Sequence, residues 1–137
     1  MKRLVVDGSV AVSWFLEDEN SEYARKVRAK IPDTEIVSVP NHWMLEVVNA
    51  LMVAERRKRI APASVNHAVG ILRQLPIHSD SETDEHAGQQ TLELARQHTL
   101  SIYDAAYLEL ALRLGAFLAS LDEPLKAAAS KRGVPLA

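Results

Sequence analysis

Residues 100–122, LSIYDAAYLELALRLGAFLASLD, decide the fold. Ser101 precedes Asp104 by three positions, which is the spacing of a capping box and predicts the start of a helix. Apolar residues cover most of that helix, so we expect it to be buried and to end at Gly115. The short apolar run at 116–119 then predicts a central parallel strand.

This strand places Ser120 and Asp122 at its carboxyl end, the edge at which open α/β sheets bind ligands. A first apolar strand, residues 2–6, ends at Asp7 in the same way. Helix and strand patterns alternate along the rest of the chain, which predicts an α/β fold with a parallel sheet covered on both faces. We expect a helix at about 84–98 and a last edge strand at 133–135, where proline is tolerated.

The composition limits the class of protein. A chain of 137 residues favours a single domain, residues 1–137. It contains no cysteine, which excludes disulfides and cysteine-ligated metal sites. No apolar run approaches ~18 residues, so we expect a cytoplasmic protein without a membrane anchor. The net charge of −2 argues against non-specific wrapping of nucleic acid, although a bound cation can supply positive charge to a nuclease.

Four acids stand where the pattern does not predict a solvated charge: Asp7, Glu46, Asp104 and Asp122. Each also has a simpler interpretation. Asp7 and Asp122 are consistent with helix caps, Asp104 with the partner of Ser101 in its capping box, and Glu46 with an exposed helix position. Taken singly, both interpretations remain open for each acid.

Convergence of the four acids would demand a counter-charge. Two carboxylates ~5 Å apart repel by about 3 kcal/mol at an effective dielectric constant of ~20. Several such pairs are too costly for a domain with a stability of ~5–15 kcal/mol, so either some acids are protonated or a cation binds. Oxygen ligands without cysteine or paired histidines favour Mg²⁺ or Mn²⁺ over zinc. Such an ion activates water and stabilises attack on phosphorus.

Three motifs carry a resemblance to a known family. They are VVDGSVAVSWFL at 5–16, the pattern P-x₅-E-V-x-N-A-L at 40–51, and the stretch at 100–122. In this order they resemble PIN-domain proteins of the VapC toxin type, over about residues 5–134. The resemblance implies an α/β/α sandwich with a sheet of about five strands. It also implies a Mg²⁺- or Mn²⁺-dependent endoribonuclease that cleaves RNA by metal-activated water, forms a homodimer and is inhibited by a cognate antitoxin.

The resemblance also assigns residues to the site. The acidic positions of the family fall on Asp7, Glu46, Asp104 and Asp122, and its small hydroxyl positions fall on Ser9 and Ser120. We predict that the first three acids hold the metal and that the fourth completes the cluster, in the second coordination shell or on a second ion. The two serines and Asn49 would orient the carboxylates through hydrogen bonds. Gly8 stands where the family often has alanine or threonine.

Two other functions fit parts of the pattern. A catalytically silent PIN-like module that binds RNA or a protein would need one acid lost or blocked; all four acids are present, so only a blocked site remains open. A receiver-like phosphoacceptor domain would need adjacent acids after the first strand, where this chain has Gly8 and Ser9 instead. The basic run at 56–59 is typical of a solvated helix end, and a contact with RNA remains open there.

Overall fold

The computed structural model describes residues 1–19 and 21–137. Its sheet contains β1 (Arg3–Val6), β2 (Ile36–Val39), β3 (His78–Ser79) and β4 (Phe117–Ala119). These strands are all parallel and lie in the order β3-β2-β1-β4. Three of the four residues in β1 and in β2 are buried, as expected for a sheet that is covered on both faces.

Two layers of helices cover the sheet. The helices are α1 (Gly8–Ser13), α2 (Glu22–Lys30), α3 (Trp43–Arg56), α4 (Pro62–Gln74), α5 (Thr83–His86), α6 (Leu92–His98), α7 (Ile102–Leu114) and α8 (Glu123–Lys131). The chain crosses from β1 to β2 to β3 in one direction, so right-handed connections place α1–α4 on one face. The return from β3 to β4 places α5–α8 on the other face, where α7 packs on β1. The expected α/β/α sandwich is confirmed.

The central prediction for α7 is also confirmed. Ser101 Oγ accepts a hydrogen bond from the Asp104 backbone N–H at 3.0 Å, so the helix begins at the predicted cap. It ends at Gly115, whose φ of 62° is the left-handed conformation that favours glycine. Residues 105–111 between these ends are all buried.

Two elements differ from the sequence prediction. The expected strand at 133–135 is replaced by a single parallel bridge between Leu118 and Leu136. A proline has no N–H for a ladder, and Pro135 contributes only its carbonyl, which accepts from the Leu118 N–H. The helix expected at about 84–98 is interrupted between α5 and α6 by a π-helical segment, Ala87–Thr91, that contains the poor helix former Gly88.

The sheet order fixes where a ligand site should lie. The order reverses between β1 and β4, and the crevice outside the carboxyl ends of such strands is where open α/β sheets bind ligands. The N-termini of α1, α3 and α8 follow β1, β2 and β4, and α7 starts at the same edge because it runs antiparallel to β4. Across the residues described, none of the helices has both the length and the apolar character that a membrane crossing requires.

Candidate active site

A cavity of about 510 Å³ opens at this edge of the sheet, and all four predicted acids line it. Each acid comes from the N-terminal end of a different helix. Asp7 precedes α1, Glu46 and Asp104 lie in the first turns of α3 and α7, and Asp122 is the N-cap of α8. The partial positive charge of a helix N-terminus favours a carboxylate, so these ends offset part of the repulsion among the four.

Asp7 is the most buried of these acids, with 3% of its surface exposed. The hydroxyls of Ser9 and Ser120 both donate to its Oδ2, at 2.8 and 2.7 Å. Each hydroxyl in turn accepts a backbone N–H, from Leu121 to Ser9 and from Asp122 to Ser120. The side chain of Asp7 makes no capping bond to α1 within the described structure, so its carboxylate belongs to the cavity.

The electrostatics of the cavity are unfavourable for free carboxylates. The pKa of Asp7 is raised from 3.8 to about 6, mainly by burial. The hydrogen bonds from Ser120 and Ser9 oppose this rise, and the charges of Glu46 and Asp104 add to it. Burial also raises the pKa of Asp104, with the negative charge of Asp122 as the next cause. The cavity therefore holds more negative charge than its surroundings compensate near neutral pH.

Asp122 has two roles in the structure. Its Oδ2 accepts a hydrogen bond from the Leu125 backbone N–H at 3.0 Å, so the interpretation of this acid as a helix cap is confirmed. The same side chain also lines the cavity, which leaves Oδ1 for a further partner.

Asn49 is the predicted site residue that the structure does not bring to the cavity. From α3, the lining includes Glu46 and Ala50, which are four positions apart and therefore lie on one face of the helix. Asn49 is not part of the lining. Among the residues that the structure describes, no hydrogen bond of the Asn49 amide supports its predicted role in orienting a carboxylate.

Sequence reasoning missed a fifth acid in the lining, Glu19. Arg59 donates to Asp18 with both Nε and Nη2 at 2.9 Å, and Nη2 also reaches Glu19 Oε1 at 2.9 Å. These bonds hold the turn at 17–19 beside the cavity. The last residue of the basic run is therefore ion-paired rather than simply solvated, a partnership that no local pattern indicates because forty residues separate the groups.

Tyr107 is the second residue that the sequence analysis missed. Its side chain is fully buried in α7, and its hydroxyl donates to Glu46 Oε2 at 3.3 Å. A buried tyrosine hydroxyl usually finds a hydrogen-bond partner, so Tyr107 signals that a polar group lies nearby. The sequence does not indicate which group that is.

A tighter group of possible metal ligands lies elsewhere. In the described parts of the chain, Glu82, Glu85 and His86 form the one group whose ligand atoms all lie within 4.8 Å of one another. Both glutamates are exposed. A larger cavity of about 700 Å³ lies between α6 and α7 and contains none of the predicted site residues.

A family model described as the PIN domain matches residues 4–131. The chain belongs to the PIN domain family. This PIN domain is 33% identical over 124 residues to ribonuclease VapC3 of Mycobacterium tuberculosis, covering 90% of this chain and 85% of that protein. It is 28% identical over 127 residues to ribonuclease VapC3 of Pyrobaculum aerophilum, covering 90% and 92%.

Solved structures share the fold of this PIN domain. The M. tuberculosis toxin VapC20, which cleaves the sarcin–ricin loop, superposes with a TM-score of 0.64 at 19% identity, covering 91% of this chain and 94% of that one. The VapBC2 structure of Rickettsia felis, solved with a promoter DNA fragment, gives a TM-score of 0.63 at 14% identity, covering 98% and 97%.

Proposed function

We propose that this PIN domain is a divalent-cation-dependent endoribonuclease of the VapC toxin type and that the acidic cavity is its active site. The observation that carries the proposal is the convergence of four carboxylates, from four helix N-termini, on one cavity where the strand order reverses. The names of the VapC3 relatives support RNA as the substrate.

The donor set of the cavity fits a hard divalent cation. The available ligands are carboxylate oxygens, and Mg²⁺ and Mn²⁺ prefer oxygen. Burial and the neighbouring carboxylates raise the pKa values of Asp7 and Asp104, so a bound cation would stabilise the charged forms of both side chains. We propose Asp7, Glu46 and Asp104 as the residues that hold the ion, with Asp122 completing the cluster.

The residues of the chain prepare the site for phosphodiester hydrolysis. A divalent cation at this position would lower the pKa of a water molecule and stabilise charge on the phosphate. Ser9 and Ser120 fix Oδ2 of Asp7 through two hydrogen bonds. These bonds also orient the other oxygen, Oδ1, which would be the one to bind the ion. The cap that Asp122 makes to α8 fixes that side chain in the lining of the cavity.

We also propose a homodimer and a cognate protein antitoxin as partners. The similarity to the VapC3 ribonucleases supports both, because the resemblance to the VapC type implies a homodimer and an antitoxin. The identity of the cation, Mg²⁺ or Mn²⁺, belongs to the same proposal.

The test is cleavage of a defined RNA pool by purified protein in Mg²⁺, in Mn²⁺ and in EDTA. Asp104→Asn, prepared identically, controls for contaminating nuclease, and Glu85→Gln controls for the acidic group near α5. We expect cutting by wild type and Glu85→Gln with either metal, and none by Asp104→Asn or in EDTA. The fragments should carry 5′-phosphate ends.

Equal cutting by wild type and Asp104→Asn would refute the assignment of the cavity. Calorimetry with Mn²⁺ separates the remaining results. Failure of the wild type both to cut RNA and to bind Mn²⁺ would favour the catalytically silent binding module instead.

A further inference from the structure

The carboxylate of Glu46 is held by a residue to which the motifs of the family give no role. Tyr107 is fully buried, and its hydroxyl lies 3.3 Å from Glu46 Oε2, sixty-one positions away along the chain. The bond joins α3 to α7, which belong to opposite layers of the sandwich. The hydrogen bond therefore connects the two helix layers at Glu46, the acid that α3 contributes to the cavity.

The other oxygen of Glu46 rests against Gly8. A Cβ atom on residue 8 would lie 2.7 Å from Glu46 Oε1 and 3.4 Å from the Tyr107 hydroxyl. The first distance is shorter than real Cβ contacts, so the carboxylate occupies the space that any other side chain would fill at this position. Gly8 and Tyr107 thus fix the two oxygens of one carboxylate from two directions.

The protonation of Tyr107 suits a donor. Burial raises its pKa, and the negative charges of Glu46 and Asp7 raise it further. The hydroxyl is therefore protonated near neutral pH, and the carboxylate of Glu46 is the acceptor that it faces.

His42 is another polar neighbour of this carboxylate. Its Nε2 lies 3.3 Å from Glu46 Oε2, but within the described structure that nitrogen has no partner with hydrogen-bond geometry. Its ring packs edge-on against both Tyr103 and Tyr107. His42 therefore contributes packing around the contact, and Tyr107 makes the hydrogen bond.

We propose that Tyr107 is a positioning residue of the metal site, which orients Glu46 through its hydroxyl in the space that Gly8 leaves open. This inference rests on the proposed function, because it takes Glu46 to be a ligand of the cation. A glutamate side chain has several rotatable bonds and its end is one-third exposed here, so without the tether the carboxylate would leave its place for much of the time. Partners that orient a ligand in this way commonly contribute a factor of about 10 to 100 in metal affinity.

The experiment compares Tyr107→Phe with Tyr103→Phe. Both variants remove one hydroxyl from α7, and Tyr103 is 65% exposed, so this control tests the same chemical change one turn away. Mn²⁺ affinity is measured by calorimetry, and the melting temperature is measured in EDTA. We expect Tyr107→Phe to bind Mn²⁺ at least about 10-fold more weakly than wild type and Tyr103→Phe to match wild type.

A purely structural role would give a different result. The melting temperature of Tyr107→Phe in EDTA would then fall while its Mn²⁺ affinity stayed within twofold of wild type, and the inference would be wrong. Absence of Mn²⁺ binding in the wild type would instead refute the proposed function, and the inference with it.

Gly8→Ala provides a second route to the same carboxylate. Its added methyl group would lie 2.7 Å from Glu46 Oε1, so the carboxylate has to shift, and we expect this variant to weaken Mn²⁺ binding as well. Because both changes act through one side chain, the Gly8→Ala, Tyr107→Phe double variant should bind about as weakly as the weaker single variant. A loss in the double variant equal to the product of the two single losses would contradict a shared action on Glu46.

Discussion

Replacement of Asp7 by asparagine should stabilise the metal-free protein at neutral pH. The pKa of Asp7 is raised from 3.8 to about 6, because the side chain is buried and faces Glu46 and Asp104. Each pKa unit corresponds to about 1.4 kcal/mol, so the charged form costs the folded state about 3 kcal/mol. Asparagine removes that charge, but the donors of its amide find imperfect hydrogen-bond partners, which offsets about 1 kcal/mol of the added stability.

We therefore expect the free energy of unfolding of Asp7→Asn to exceed that of wild type by about 2 kcal/mol at pH 7.5 in EDTA. The sign follows from linkage. A carboxyl with a raised pKa in the folded state binds its proton more tightly there, so the wild type loses stability as pH rises from 3.8 to about 6. Below this window the penalty is absent, and the advantage of Asp7→Asn should vanish.

Urea unfolding followed by tryptophan fluorescence provides the assay, since Trp14 and Trp43 are both buried. Asp33→Asn, on the exposed turn before β2, is the control that changes the same group without a cavity, and it should match wild type. Saturating Mn²⁺ should reverse the order, because a ligand at 100 times its Kd stabilises the wild type by about 2.7 kcal/mol. An Asp7→Asn variant less stable than wild type at pH 7.5 in EDTA would refute this electrostatic reasoning.

Substitutions at three further positions test other parts of the structure. Asp122→Asn and Asp122→Ala both remove a carboxylate from the cavity, so both should abolish cleavage of RNA. Asparagine is still a good N-cap for α8 and alanine is not, so the free energy of unfolding in urea should be about 1 kcal/mol lower for Asp122→Ala than for Asp122→Asn. Equal stability of the two variants would contradict the capping role of Asp122. Arg113→Met leaves the buried carboxylates of Asp80 and Glu109 without their shared cation and should cost about 3–5 kcal/mol in urea unfolding at pH 7. The cost of Arg113→Met should shrink as pH falls through the lowered pKa of Asp80, because the protonated carboxyl no longer needs a cation. A cost that does not depend on pH would contradict the role of Arg113 as the counter-charge of Asp80. Gly115→Ala places a Cβ at a φ of 62° and should lower the free energy of unfolding by about 1 kcal/mol; an unchanged value would show that the helix end relaxes.

The sequence predicted the parts of the site that follow directly from strand edges. Asp7 ends β1, and Ser120 and Asp122 follow β4, so the parallel arrangement of the two strands was enough to bring them to one edge. The position of Asp104 could also be predicted, because a capping box fixes its place in the first turn of a helix.

The rest of the site depends on contacts between distant parts of the chain. The bond from Tyr107 to Glu46 and the pairing of Arg59 with Glu19 each join residues at least forty positions apart. Asn49 shows the limit within one helix, since it lies one position away from Ala50, the neighbour that lines the cavity. Periodicity locates a helix well, but it places a side chain on a particular wall only to within about one residue.

The location of a bound cation tests the central claim most directly. Crystals soaked in Mn²⁺ and measured by anomalous diffraction would show where the ion lies. We expect an anomalous peak in the cavity, within coordination distance of Asp7, Glu46 and Asp104, and no such peak in crystals of Asp104→Asn. A peak at Glu82, Glu85 and His86 alone, or no peak at all, would contradict the assignment of the acidic cavity as the metal site.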